Sequence, residues 1–323
     1  MASTPHDDLF RTVFQHPREA SALLRLALPD ELLVHLDLRT LAPARGRFLT
    51  RLFAHREADL VFTAQLRERA AIVVVLVEHK SDLPRTLPLQ VLGYVSLLLE
   101  EWSKENRLPL PVVLPIVVYH GVRRAPPCAT LADLLDPSVA PPLLAWMPKI
   151  RVPILDLGRV PTERLLARLE PGAERAATTL VLMARIWSGD ILDELRLLAR
   201  PLRRSRRRRG GLEFERLLLT YILRAARQPP PLEELDEVMA NEVDADARGV
   251  VMTLADQLHR AGMERGVEQG ERQEARASLL RVLTLKFGDP PDALRARIED
   301  ADLDALREWL DAAVLARTID DVF

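Results

Sequence analysis

Three charged residues stand where apolar runs end, and their types could do chemistry. Ala71 to Lys80 reads Ala-Ile-Val-Val-Val-Leu-Val-Glu-His-Lys. Its first part is β-branched and apolar without alternation, as in a strand covered on both faces. It then ends in charge. Glu78 and Lys80 are two apart, so on a strand they share a face, while His79 takes the other. A carboxylate and an ammonium at the lip of a buried strand cost desolvation unless they are paired or used. A second acid, Asp59, lies in another short strand-like run, Glu57-Ala-Asp-Leu-Val-Phe-Thr63. The polar Gln65-Leu-Arg-Glu-Arg69 between the runs is short enough for a hairpin, which brings Asp59 toward Glu78 and Lys80. Two readings are open from the residues alone: an ion pair that closes the strand ends, or a working set of charges.

An Asp, 18 intervening residues and Glu-x-Lys resemble the PD-(D/E)xK nuclease superfamily. That resemblance implies that Asp59 and Glu78 hold Mg²⁺ (or Mn²⁺) and that Lys80 lies beside the attacking water. The residue types suit the role. Mg²⁺ takes hard oxygen ligands and keeps several waters. A bound metal lowers the pKa of its water and neutralises charge on a phosphate.

The elements that would position these residues follow in order. Leu9, Phe10, Val13 and Phe14 have helical spacing, with His6, Asp7 and Asp8 at the helix start. Pro17 to Leu28 is a second helix, with Pro at its start and Pro29 just past its end. Leu32 to Leu41 is a strand or an irregular lead-in, and Phe48 to Phe53 could pair with the Asp59 run. After the loop Ser81 to Arg85, Thr86 to Lys104 is a helix with Leu87, Val91, Val95, Leu98 and Trp102 on one face. Gln90 and Tyr94 share a stripe of that helix. Pro111 to Tyr119 is another buried strand. A helical crossover between the Glu78 strand and this one makes the two parallel. Beyond it, 122–161 is proline-rich and irregular, with one peripheral strand near Ile150 to Leu155. Helices follow at 162–169, 176–188, 191–198 and 212–227.

An ordered set of motifs narrows the resemblance. His6-Asp7 with Leu9-Phe10, Leu28-Pro29, Asp59-Leu-Val-Phe, Glu78-His-Lys-Ser81, Gln90-Val-Leu-Gly-Tyr94 and Pro115-Ile-Val-Val-Tyr-His-Gly121 occur in this sequence. The set resembles the YhgA-like transposases, also called recombination-promoting nucleases (Rpn), over about residues 5 to 240. It implies a mixed α/β sheet of the restriction-endonuclease type and a Mg²⁺-dependent DNA endonuclease linked to recombination or mobile elements. Many members carry Gln where this chain has Lys80, so the chain is nearer the superfamily pattern than much of its own family. In related nucleases a residue at the place of Gln90 orients the lysine or a phosphate. His6 and Asp7 are either a helix start or auxiliary to the site. His79, Tyr119 and His120 are expected to be structural.

Composition sets the limits. The chain has 323 residues, is 48% hydrophobic and has a formal net charge of −2, so any nucleic-acid surface must be local. One cysteine, Cys128, excludes Cys-based zinc sites and fits a reducing cytoplasm. Neither a signal peptide nor a membrane span is expected. There is no Gly-x-x-x-x-Gly-Lys, His-Glu-x-x-His or Gly-x-Ser-x-Gly motif, and the strand-end acids do not fit an Asp-Asp-Glu transposase framework. Arg200 to Arg209 contains seven arginines, a solvated face or mobile loop that could meet DNA phosphates. No aromatic residue interleaves it, which argues against base stacking.

The expected organisation is a nuclease-like domain over 1–240, a helical connector over 241–275 and a small helical unit over 276–323. Lys286-Phe-Gly288 and Trp309-Leu310 make that last unit resemble the domain of unknown function DUF4351. It is small for an independent core, which points to homo-oligomerisation. The alternative to an enzyme is a catalytically silent DNA-binding or protein-interaction module on a nuclease fold.

Overall fold

The structure, a computed structural model, describes residues 4–44, 60–67, 72–105, 109–167, 172–187 and 191–323, with 72–80, 105, 167 and 265 described by their backbone. The chain forms two compact units, Met1–Val251 and Met252–Phe323.

The first unit begins with α1 (Pro5–Phe14), α2 (Pro17–Ala27) and the short α3 (Asp30–Leu33). Pro5 and Pro17 stand at the helix starts, where a missing N–H costs nothing. Thr4 and Asp7 close a capping box on α1, with Asp7 accepting from the Thr4 hydroxyl at 2.7 Å. Next come β1 (Leu36–Pro43), β2 (Leu60–Leu66) and β3 (Ile72–Lys80). They lead into α4 (Leu87–Glu105), β4 (Val112–Tyr119), β5 (Cys128–Thr130), α5 (Pro141–Leu144) and β6 (Arg151–Asp156). Helices complete the unit: α6 (Thr162–Ala167), α7 (Glu174–Arg185), α8 (Ile191–Leu197), α9 (Ala199–Arg206), α10 (Gly211–Ala225) and α11 (Leu232–Val238).

The sheet has the order β1-β2-β3-β4-β6-β5. β2 and β3 are an antiparallel pair, β3 and β4 are parallel across α4, and β4 and β6 are parallel. The hairpin and the helical crossover are those the sequence predicts. The strand expected near Ile150 to Leu155 is not peripheral. It lies between β4 and β5, and the three-residue β5 covers its outer side.

Two layers cover the sheet. Under α4, Leu87 and Val91 pack on Val117 and Tyr119 of β4 and on Val152 and Ile154 of β6. Further along α4, Tyr94 and Leu98 pack on Val61 of β2. On the alternate positions of β4, Ile116 and Val118 are buried as well. α2 packs on β1, β6 and α7, and α1 on α2, α7 and α10. α7 is buried around its whole circumference, with Ala177, Thr178, Leu180, Val181 and Met183 all enclosed, as a central helix must be.

Most of the arginine run is helical: α9 carries it to Arg206, and 207–209 form the turn that follows. Ala199, Leu202 and Ser205 are buried at helical spacing, and three arginines are tied to carboxylates from distant elements. Arg203 pairs with Glu242, Arg206 with Glu215 and Asp244, and Arg208 with Glu174.

In the second unit, α12 (Val250–Phe287), whose first two residues close the first unit, leads to α13 (Asp292–Asp300) and α14 (Leu303–Leu315). Leu279, Leu283, Ile298, Leu306, Ala313 and Val322 form the core. Gly288 ends α12 in the left-handed conformation at φ 86°, and its N–H returns to the Thr284 carbonyl at 3.1 Å. The Lys286 ammonium donates to the Ala313 carbonyl at 3.0 Å, near the C-terminus of α14, where a cation is favoured. Among the described residues no helix is long and apolar enough to cross a membrane.

Candidate active site

The carboxyl ends of β3, β4 and β6 form one row across the sheet. Lys80 is in register with Tyr119, and Tyr119 with Asp156. Two residues earlier, Glu78 is in register with Val117, and Val117 with Ile154. Val117, Tyr119 and Ile154 all belong to the cluster beneath α4, so this row lies under the helix that carries Gln90.

The β2–β3 register places the second acid's neighbourhood. Leu60 pairs with Val77, the residue before Glu78. Asp59 precedes Leu60 by one peptide bond and itself lies outside the described residues. Val61, which faces Tyr94 and Leu98, pairs with Leu76. Glu78 and Lys80 have the same strand parity as Leu76.

Gln90 is half-buried in the first turn of α4, and its N–H donates to the Thr86 carbonyl at 3.0 Å. It sits between the two apolar clusters: Leu87 and Val91 mark one, Tyr94 and Leu98 the other. The sequence groups Gln90 with Tyr94 on one stripe, and Tyr94 is buried on the sheet side. Among the described residues no group of three His, Cys, Asp or Glu side chains is placed to hold a metal. The two acids expected to do so are Asp59, outside those residues, and Glu78, placed by its backbone.

The rim of the row is fixed by Asp156, which the sequence motifs did not flag, and by Tyr119 and Gly121, which they did. Asp156 ends β6 and accepts hydrogen bonds from the N–H of Ala125 at 3.0 Å and of Gly158 at 3.1 Å, and Arg159 lies at 3.4 Å. It thereby ties the segment after β4 to the end of β6. Its signal was available, since Val-Pro-Ile-Leu-Asp is also an apolar run ending in an acid. Its partners are fully structural. Burial raises the pKa of the Tyr119 phenol, the nearby Asp156 and Asp82 charges add to that, and a backbone hydrogen bond at Arg123 opposes it. Gly121 follows with no room for a side chain: a Cβ would meet the Ser81 carbonyl and the Tyr119 ring. The chains leaving β3 and β4 touch there.

His6 and His120 belong to an aromatic cluster that begins one residue past Tyr119. Their rings are 4.4 Å apart, His6 Nδ1 is 3.0 Å from the Tyr221 hydroxyl, and the Trp187 indole N–H donates to the His120 carbonyl at 2.7 Å. Burial pushes the Tyr221 phenol far above its ordinary range. The cluster joins α1, the end of β4, α7's C-terminal extension and α10.

The comparisons with known proteins come to the same region of chain. A model of the family described as "Putative transposase, YhgA-like" matches residues 4–211. The recombination-promoting nuclease RpnD of Escherichia coli O157:H7 is 27% identical over 167 residues, 51% of this chain and 63% of that protein. RpnC of E. coli K12, named likewise, is 24% identical over 165 residues, 51% of this chain and 54% of that protein. The inactive recombination-promoting nuclease-like protein RpnE of the same strain is 21% identical over 301 residues, 93% of this chain and 97% of that protein. No solved structure matches.

Proposed function

The chain belongs to the YhgA-like transposase family, and from that premise we propose that it is a Mg²⁺-dependent (or Mn²⁺-dependent) DNA endonuclease acting in the cytoplasm in recombination or on mobile elements. The active relatives' names, recombination-promoting nuclease, support the reaction class. The observation that carries the site is the sheet register. Leu60 pairs beside Glu78, and Glu78 and Lys80 fall in the row covered by the helix of Gln90.

Asp59 and Glu78 offer the hard carboxylate oxygens that Mg²⁺ takes. Such an ion would supply an activated water and neutralise charge on the scissile phosphate. Lys80 orients that water and stabilises the charge gathering on the phosphate. Gln90, half-buried and above the same row, steadies Lys80 or a phosphate oxygen. The fold is that of a PD-(D/E)xK nuclease in this reading.

Purified protein is expected to nick plasmid DNA with Mg²⁺ or Mn²⁺ and not in EDTA. Glu78→Ala lowers the rate on the order of a hundredfold or more while the circular dichroism melt stays in place. Unchanged cleavage by that variant sinks the assignment.

A second reading has a specific observation behind it. The relative that spans 93% of the chain bears the name inactive. A folded protein that binds DNA with full affinity and never cleaves it, with either metal, is the silent module instead. For the second unit we propose self-association. It is small, and it leaves Leu285, Val314 and Leu315 exposed.

A further inference from the structure

The arginine helix has two sides with different chemistry. Arg203, Arg206 and Arg208 are held by Glu242, by Glu215 and Asp244, and by Glu174. Arg200, Arg204 and Arg207 are exposed and opposite the buried Ala199, Leu202 and Ser205. At spacings of four and three they make one stripe along the helix. Among the described residues no carboxylate pairs with any of the three.

Local stability does not account for that stripe. Cations near a helix C-terminus are favoured by the helix dipole, which suits the last turn. Arg200 is in the first turn, where the dipole disfavours it, and like charges four apart repel. α9 packs on α7, α8, α10 and the 239–243 turn, so these elements need only its buried side.

We propose that Arg200, Arg204 and Arg207 bind the phosphate backbone of duplex DNA, at a surface apart from the residues proposed for cleavage. This rests on DNA being the substrate. The charge is complementary, and guanidinium forks match phosphate oxygens better than ammonium groups do. The helix rise sets the first and last arginine about 10 Å apart along the axis, so the stripe spans more than one phosphate. No aromatic side chain accompanies it, so it has contacts for a backbone and none for unstacked bases. The overall charge of −2 makes this local concentration of positive charge the more telling.

The test is equilibrium binding of the full chain to a labelled 30-base-pair duplex in EDTA, over a KCl series, with the DNA checked for integrity. Arg200→Ala/Arg204→Ala/Arg207→Ala weakens binding on the order of a hundredfold at 0.1 M salt and lowers the slope of log K against log salt by about three times 0.9. The corresponding triple Lys variant keeps most of that slope. Identical affinity and slope in the Ala variant overturn the proposal, as does a Lys variant that falls as far as the Ala variant. Greater loss with a single strand than with the duplex overturns it too. Plasmid cleavage is scored separately. No turnover by the unsubstituted chain with this binding difference intact counts against the nuclease reading alone, and turnover by that chain with no binding difference counts against the stripe alone.

Discussion

At the scale of single residues, the proposed site gives the three strand-end charges distinct roles that substitution separates. Glu78 supplies a metal oxygen in the proposed site, whereas Lys80 supplies only a positive charge and a donor. Gln keeps a donor and loses the charge. Lys80→Gln is therefore expected to leave Mn²⁺ affinity, measured by calorimetry, within about threefold, while lowering the cleavage rate on the order of tenfold to a hundredfold. Glu78→Ala loses both. Loss of Mn²⁺ binding in Lys80→Gln would place the lysine in the structure of the metal site and not in the reaction.

At the scale of elements, α7 is positioned by a buried acid from α2. The Glu19 carboxylate accepts from the Ala176 N–H at 2.7 Å, in the first turn of a helix whose positive end favours it. Burial raises the Glu19 pKa above 4.5, against the lowering effects of the Ala176 N–H and of Arg175, Arg18 and Arg208. Since the folded state holds the proton more tightly, this group's contribution to stability is complete below the unfolded pKa and is lost as pH rises through the folded one. Glu19→Gln removes that titration. The difference in unfolding free energy, wild type minus Glu19→Gln, should increase as pH falls from 7 toward 4.5, read from urea melts across that range. A difference that shrinks on acidification contradicts the assignment. Glu19→Ala, which strands the Ala176 N–H, costs about 1–3 kcal/mol at neutral pH.

The same scale shows what could be read beforehand. β3 was legible because four β-branched residues in succession, Ile72 to Val75, followed by Leu76 and Val77, fit only a covered strand, and α4 because its apolar face repeats over about four turns. The parallel pairing of β3 and β4 followed from the helix between them. β5 was missed because Cys128-Ala-Thr130 carries too few residues for any period to show. β6 was placed at the edge because nothing in its own residues announces the strand that covers it. The Arg200–Arg209 run was illegible as a helix for a different reason. Its three buried positions are outnumbered by charge, and the acids that pair with three of its seven arginines come from residues 174, 215, 242 and 244. Within the site, Gln90's neighbourhood could be read from the helix stripe. The Lys80–Tyr119–Asp156 row could not, because it depends on the register between three strands.

At the scale of the whole molecule, the second unit has a closed core of its own, so its role is separable from that of the first. Leu279, Leu283, Ile298, Leu306, Ala313 and Val322 are at or near zero exposure, and Arg297 lies over the rings of Trp309 and Phe323 at 5.0 and 5.3 Å. Yet Leu285 remains 79% and Leu315 84% exposed. A unit this small gains little from its core alone, and side chains of this size in water are a reservoir of burial that a second copy can use. The full chain should therefore sediment as an oligomer at micromolar concentration, and a chain ending at Val251 as a monomer. Leu285→Glu/Leu315→Glu in the full chain should dissociate the oligomer without lowering the melting temperature of the first unit. If cleavage per protomer survives in that monomer, the site in the first unit is complete in one copy. If the full chain is already a monomer, the apolar face serves something other than self-association, and the second unit's exposed leucines leave the proposed chemistry of Asp59, Glu78 and Lys80 untouched.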